Sequence, residues 1–529
     1  MAEKIYVYDT TLRDGSQGEG ISLSVEDKLK IAARLDRLGV DYIEGGWPWA
    51  NPKDMEFFLR AREIGWQRAK LAAFGRTRKP GGKAEEDANL LAIKRAGVKA
   101  ATIFGKAWDL HVTAALETTL EENLAMIADS IAFLVAAGLE VIFDAEHFFD
   151  GFKANPDYAL ATLKAAAAAG ASWVVLCDTN GGCLPGDVAA AVARVRQELQ
   201  VPLGIHTHND GDLAVANTLA AVTAGCRQVQ GTINGFGERC GNANLCSVLP
   251  NLELKMGYQC LPPGQLSFLT EVSRYVSEIA NVVPAGNQPF VGYSAFAHKG
   301  GIHVSAVLKA SQTYEHIRPQ LVGNERRILM SDQAGASNLR CKAEEMGLEL
   351  SPEKEQALIN GIKEMERQGY QFEGADASLE LFLRKTTGEY RQPFEVEYVK
   401  TLVEKRPGQE AIAEAIVKLK VGDQVVHTAA EGNGPVNAMD NALRKALEEV
   451  FPAIGRMRLT DYKVRVLDEK DATSARVRVL IESRDGNSSW NTVGVSTNII
   501  EASWEALLDS MEYALLKQSR ELNKKAAAT

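Results

Sequence analysis

The sequence predicts an α/β protein: a (β/α)8 barrel, a mainly helical linker region, and a C-terminal α+β domain with a tandem repeat. Three observations carry this. Eight short β-rich runs alternate with eight helical stretches over about 260 residues, the size of one such barrel. Five of the helical stretches end at a glycine just before the next strand (Gly39, Gly97, Gly138, Gly170 and Gly225), which is helix-ending chemistry repeated in register. Beyond residue 400 the rhythm changes from strand-helix alternation to successive strands.

The predicted strands are Lys4–Asp9, Val40–Glu44, Lys70–Phe74, Ala100–Phe104, Glu140–Asp144, Trp173–Asp178, Pro202–Thr207 and Gln228–Asn234. Runs such as Trp173–Leu176 are continuously apolar, as strands covered on both faces are. The helices between and after them are predicted at 25–38, 53–64, 85–96, 120–137, 158–169, 186–199, 212–224 and 242–256. A doubly wound open sheet is the alternative. The count of eight, and the lack of a Gly-rich dinucleotide loop after the first strand, favour the barrel. Leu261-Pro-Pro-Gly264 then breaks the rhythm. A helix over 265–280, an extended segment over 283–293 and amphipathic helices at 352–368 and 377–386 follow. Strands are predicted at 413–421, 424–430, 462–467 and 476–482. Gly434–Leu443 and Thr497–Leu507 begin helices after similar loops, which suggests a repeat of about 64 residues. The expected divisions are 1–260, 261–395 and 396–529.

Composition narrows the function classes. The 59 basic and 69 acidic residues leave a net charge of −10, unsuited to nucleic acid or anionic membrane. Mean hydropathy is −0.15, and no apolar run approaches the ~20 residues of a membrane span. The first nine residues lead straight into a strand without a signal-peptide profile. Seven scattered cysteines without a C-x-x-C fit free thiols, so a cytoplasmic protein is expected.

A barrel carries its active site at the C-terminal ends of its strands. Those ends read Asp9-Thr-Thr-Leu-Arg13-Asp14, Glu44, Asp144-Ala-Glu146-His147, Asp178-Thr179, His206-Thr-His208-Asn209-Asp210 and Asn234-Gly-Phe-Gly-Glu-Arg-Cys-Gly-Asn242. His206 and His208 share a strand face, and two imidazoles with open positions suit a catalytic metal. Asp14 and Asn242 are candidate oxygen ligands, which points to Mg, Mn or Zn. A hydrogen-bonded core pair is the plainer reading of H-x-H. Arg13 suits stabilisation of a developing oxyanion, or else a structural ion pair with Glu44 or Glu238. Glu146 and His147 suit acid–base work, although His147 also reads as a histidine that only orients neighbours. Thr179 suits a substrate carboxylate, and Asp178 the orientation of neighbours.

These motifs resemble the DRE-TIM metallolyases, and within them the acetyl-CoA-dependent 2-isopropylmalate, homocitrate and citramalate synthase family. Gly45-Gly-Trp-Pro-Trp-Ala-Asn-Pro-Lys-Asp54, Asp14-Gly-Ser-Gln-Gly-Glu-Gly20 and His298-Lys-Gly-Gly-Ile-His303 resemble its citramalate branch. Trp49 departs from it, standing where a small residue is usual. The resemblance implies a divalent metal on Asp14, His206, His208 and Asn242, and acetyl-CoA and pyruvate as substrates. It implies Arg13, Asp14, Glu44 and Thr179 around the oxo acid, and Arg13, Glu146, His303 and Tyr314 as the catalytic set. His303 also reads as a capping or packing residue. The implied reaction gives citramalate for isoleucine biosynthesis. The alternative within the family uses 2-oxoisovalerate to give 2-isopropylmalate. A homodimer, with isoleucine acting on the C-terminal domain, is implied as well; a plain dimerisation module is the alternative there. A carbon–carbon lyase of the superfamily would lack the C-terminal repeat. A non-catalytic sensor would not be expected to keep Arg13, Asp14, Glu146, His206 and His208 together.

Overall fold

The computed structural model describes residues 2–467, 474–486 and 488–528. Met1 and Thr529, the outer limits of the expected divisions, lie outside them. The described residues form two compact units, 1–296 with 316–326, and 297–315 with 327–529.

The first unit is the barrel. Its strands are β1 (Tyr6–Asp9), β2 (Tyr42–Gly46), β3 (Lys70–Arg76), β4 (Ala100–Lys106), β5 (Glu140–Glu146), β6 (Trp173–Asp178), β7 (Leu203–Thr207) and β8 (Gln228–Gly231). All pair in parallel with their sequence neighbours, and β8 closes on β1 from Tyr6/Gln228 to Asp9/Gly231. β3, β4 and β5 each run two residues past the predicted end, carrying Arg76, Lys106 and Glu146 in strand geometry to the rim.

The surrounding helices begin where local chemistry favours them. Ser24 and Asp27 form a reciprocal capping box at the head of Val25–Leu38, worth about 1 kcal/mol. Asn51, Asp87, Thr119 and Asn155 cap their helices through side-chain oxygens. Gly39 and Gly97 end theirs in the left-handed conformation at φ 95° and 66°. The predicted 242–256 helix instead starts at Leu245 and changes to a wider turn over Asn251–Lys255. Residues 242–244 are held in bridges to His208 and Thr232.

Between strands and helices lies the main core, with Ile5, Val7, Ile43, Phe57, Phe58, Phe143 and Leu176 enclosed. Tyr8, Tyr42, Ala72, Ala100, Ile142 and Trp173 fill the interior of the barrel itself. The helix Leu269–Ile279 packs on the outside of Val25–Leu38, with Arg34 bridging to Glu271 and lying over Tyr275. The predicted extended segment 283–293 is a series of turns, tied by bonds such as Ser294 N–H to the Gly286 carbonyl.

The second unit starts with helices Gly301–Lys309, Ala336–Glu345, Pro352–Arg367 and Asp376–Thr387. Two three-stranded antiparallel sheets follow, 395–432 and 458–496, each leading into a helix, Pro435–Glu448 and Ile499–Ala528. The equivalent elements start at Ile412 and Val477, Gln424 and Ser489, Pro435 and Ile499, so the predicted repeat is present. The strand Ile412–Val421 turns Ala413, Ala415, Val417 and Leu419 inward, the period-two pattern of a sheet with one covered face. These pack with Met439, Leu443, Leu447, Val479, Ile481, Leu507 and Met511 in one core.

Two predictions concern stability. A Cβ at Gly45, where β2 is irregular, would stand 2.2 Å from the Phe57 ring. Gly45→Ala should lower the stability of the first unit by about 1–3 kcal/mol, seen as a lower urea midpoint. In the second unit, Asp509 accepts a hydrogen bond from the Ser378 hydroxyl, and burial pushes its carboxyl up to about 6. A carboxyl whose folded pKa is raised lends stability that is complete at about pH 4 and lost as the pH rises through 6, roughly 2–3 kcal/mol in all. Asp509→Asn should remove that pH dependence in denaturation curves taken from pH 4 to 8.

Candidate active site and metal centre

The mouth of the barrel gathers the ionisable residues. Asp14 follows β1, His206 lies within β7 and His208 just beyond it. Asp14 Oδ2 is 3.3 Å from His206 Nε2 and 3.9 Å from His208 Nε2, and the two Nε2 atoms are 3.1 Å apart. All three residues are buried, and their donor atoms lie within 4.8 Å of one another. Burial pushes the Asp14 carboxyl upward, but Arg13 and the two imidazoles outweigh it and hold the carboxyl well below the usual range. Burial also disfavours a charged His206, yet Asp14 raises its pKa. Burial, and then His206, push His208 down to about 4, so it is a neutral donor at ordinary pH.

Asn242 sits beside them, its backbone bridged to His208. Its amide donates to the Phe236 carbonyl at 3.1 Å, while its Oδ1 is buried and without a hydrogen-bond partner. Two neutral-capable imidazoles, a carboxylate and an orphaned amide oxygen fit a divalent cation of the Mg, Mn or Zn type. His206 Nδ1 lies 2.9 Å from Gln230 Oε1, and Gln230 Nε2 donates to Asp144 at 3.0 Å.

Arg13 occupies the centre. Its Nε donates to Glu44 Oε2 at 2.6 Å, its Nη1 lies 3.4 Å from Asp14, and its guanidinium stacks on Phe74 at 3.8 Å. Glu44 is fully buried and also accepts from the Tyr8 and Thr10 hydroxyls, so both of its oxygens are engaged. Phe74 stacks on Phe104 and meets Trp47 edge-on. Trp49 lies 6.1 Å from Trp47 and beneath the Arg76 guanidinium, contacts that accommodate a large residue in that loop. Asp9 and Asp144 are enclosed beneath, each pushed up to about 7 chiefly by burial.

On the far side of the mouth, Glu146 ends β5 and pairs with Lys106. His147 has left-handed backbone, φ 56°, and its ring pairs with Asp150 at 2.9 Å. Its N–H donates to Thr179 Oγ1 at 2.9 Å, leaving the Thr179 hydroxyl proton for another acceptor. Asp178 accepts from the backbone of Gly182 and Cys183 and from Asn217, holding the loop after β6. Arg239 makes a two-point bond to Asp210 and donates to the Thr179 carbonyl.

A cavity of about 390 Å³ opens beside Asn242, lined by Asn209, Asn234, Cys240, Asn244 and Phe290. A larger cleft of about 610 Å³ lies at the other end of the barrel, by Arg68, Lys70 and Lys99, and contains none of these groups. His303 and Tyr314 belong to the second unit, where their rings lie 4.3 Å apart, and Tyr314 is 47% exposed.

Gln230, Tyr8, Thr10 and Lys106 were not foreseen as part of the site. A glutamine or tyrosine inside an apolar strand carries no motif, and only the pairing of neighbouring strands brings it to a ligand. The Lys106 signal was available: it and Glu146 both stand two residues past the predicted ends of their strands.

The HMGL-like family model matches residues 4–276, the span that holds the eight-stranded barrel and its mouth. The homocitrate synthase post-HMGL domain-like model matches 290–370, and the LeuA allosteric (dimerisation) domain model 373–515. The (R)-citramalate synthase of Aquifex aeolicus is 55% identical over 98% of this chain and 99% of that protein. That of Geobacter sulfurreducens is 54% identical over 97% and 98%. A probable 2-isopropylmalate synthase of Methanopyrus kandleri is 34% identical over 96% and 98%. The chain belongs to the (R)-citramalate synthase family.

Asp14→Ala or His206→Ala should weaken Mn²⁺ binding by at least about 100-fold, measured by equilibrium dialysis of the purified chain. Parent-like binding by both variants would remove the cluster from consideration as a cation site.

Proposed function

We infer that the chain joins acetyl-CoA, pyruvate and water into (R)-citramalate and CoA. The observation that carries this is likeness along the whole chain to (R)-citramalate synthases at 55% identity, against 34% for a 2-isopropylmalate synthase. The buried Asp14–His206–His208 cluster at the barrel mouth gives that reading a chemical centre.

Asp14, His206, His208 and Asn242 hold a divalent cation, Mn²⁺, Mg²⁺ or Zn²⁺. Such a cation supplies Lewis acidity toward the keto oxygen of an oxo acid. Arg13 offsets the negative charge that grows on that oxygen as the new carbon–carbon bond forms. Glu44, with both oxygens engaged, keeps the guanidinium turned to the mouth. The Thr179 hydroxyl, oriented by the His147 N–H, donates to the substrate carboxylate. Glu146, His303 and Tyr314 handle the protons: one removed from the acetyl methyl group, others exchanged as water cleaves the thioester. The LeuA-type domain supports a homodimer, and isoleucine, the end product of a pathway using citramalate, is the effector it binds. No helix among the described residues is long and apolar enough to cross a membrane. With seven free cysteines, a reducing cytoplasm is the proposed location.

The deciding experiment is thiol release from acetyl-CoA with Mn²⁺ or Mg²⁺, offering pyruvate, 2-oxobutyrate, 2-oxoisovalerate and 2-oxoglutarate in turn. Pyruvate should be used best by a wide margin in kcat/KM, with citramalate identified by mass spectrometry. Preference for 2-oxoisovalerate would move the chain to 2-isopropylmalate synthesis, and silence on all four would defeat the synthase reading. Arg13→Lys, which keeps the charge but loses the fork, should lower kcat by about 10²–10³-fold. Turnover unchanged at millimolar isoleucine would exclude that effector.

A further inference from the structure

We propose that Gln230 is a positioning residue for His206: its carboxamide oxygen takes the His206 Nδ1–H and leaves Nε2 bare toward Asp14 and His208. The proposal rests on the reading of His206 as a cation ligand, and extends it to a residue that no motif marks.

The geometry sets the direction of the hydrogen bonds. β7 and β8 pair His206 with Gln230 in register, so the two side chains are neighbours on one face of the sheet. Gln230 is completely buried and cannot exchange partners with solvent. Its Nε2 faces two acceptors, Asp144 Oδ1 at 3.0 Å and Gln228 Oε1 at 3.4 Å. With Asp144 ionised, as it is at alkaline pH, only the NH₂ end of a carboxamide can satisfy both. The oxygen is therefore the end turned to His206, 2.9 Å from Nδ1. A neutral imidazole has just one proton to give, and Gln230 at 2.9 Å competes for it with the Asp14 carboxylate at 3.3 Å; the shorter bond favours Nδ1. Nε2 then carries the lone pair, at the edge that lies 3.3 Å from Asp14 and 3.1 Å from His208.

His208 has no such support, because its Nδ1 is buried without a partner. The control is thus specific to one of the two rings. The choice of glutamine also has a reason. A carboxylate at 230 would accept from the histidine equally well, but it would face the enclosed Asp144 at hydrogen-bond distance, where two like charges repel. The amide is an acceptor toward the ring and a donor toward the carboxylate, and so serves both.

Two measurements test this. The first is ¹⁵N-histidine NMR of the metal-free parent chain at alkaline pH, with the His206 signals identified by their loss in His206→Asn. Neutral His206 should carry its proton on Nδ1; a proton on Nε2 overturns the proposal without any variant at 230. The second is Mn²⁺ affinity by equilibrium dialysis. Gln230→Met, similar in shape but unable to accept, should bind about 10–100-fold more weakly. The exchanged pair Asp144→Asn with Gln230→Glu keeps an acceptor on His206 Nδ1 while reversing the 230–144 hydrogen bond, and should recover most of that loss. Parent-like affinity in Gln230→Met, or a loss that the exchanged pair leaves in place, overturns the proposal. If Asp14→Ala bound Mn²⁺ like the parent, the ligand reading would fall, whereas the NMR result judges Gln230 on its own.

Discussion

The Arg13–Glu44 ion pair is the interaction on which the barrel mouth depends. Five carboxylates, Asp9, Asp14, Glu44, Asp144 and Asp178, are buried around that opening, and a low-dielectric site cannot hold so many charges uncompensated. Arg13 reaches two of them directly, at 2.6 and 3.4 Å. Tyr8 and Thr10 complete the shell of Glu44 with hydroxyl hydrogen bonds. The two carboxylates that Arg13 does not touch deep in the barrel, Asp9 and Asp144, are pushed up to about 7, toward the neutral form. The mouth therefore holds acids of two kinds, Asp14 kept ionised beside the guanidinium and Asp9 and Asp144 shifted up toward neutral pH below it. Arg13 keeps Asp14 anionic, and an anionic Asp14 is what makes the cluster attractive to a cation.

Much of this was legible in the sequence, for physical reasons. A parallel strand covered on both faces must be apolar, and its C-terminal end must be where polarity resumes, so Asp14, Glu44, Glu146, Thr179 and His208 could be placed on one rim without coordinates. Spacing of two along a strand brought His206 and His208 together. Helix ends were equally plain, because Ser24, Asn51 and Thr119 announce starts and Gly39 and Gly97 announce stops. What escaped is what strand pairing alone creates. Gln230 reaches His206 only because β8 lies in a particular register beside β7. The short helices Asp109–Ala114 and Phe148–Ala154 were missed as well. They sit in strand-to-helix connections too brief for a period to show, and the second needs His147 in left-handed backbone.

In the C-terminal domain the repeat was visible, but its third strands were not. Glu395–Glu404 alternates charged with apolar residues, and most of its side chains are exposed. It is an edge strand, held by its ladder to Ile412–Val421 rather than by a buried face. Ser489–Ser496 is the reverse case: its Thr492, Val493, Gly494 and Val495 are buried, yet polar and glycine residues interrupt the apolar run that would announce a strand. Each half thus combines two strands that sequence pattern reveals with one that only pairing reveals.

The placement of the candidate cation donors has a mechanical side. Asp14 comes from just beyond the first strand, His206 and His208 from the seventh, and Asn242 from beyond the eighth, so the cluster straddles the line where the two ends of the chain's circuit meet. That sector is laddered sparingly: β7 pairs with β8 only from Gly204/Gln228 to His206/Gln230, whereas β4 and β5 run together from Ala100/Glu140 to Lys106/Glu146. An ion held from both sides of this seam would act as a clasp, because opening the ring there would separate its donors. Whatever binds only the closed ring also favours closure by mass action. The Asp14–His206–His208 cluster is in this sense placed where a ligand would fasten the barrel, since its members come together only across the closing seam.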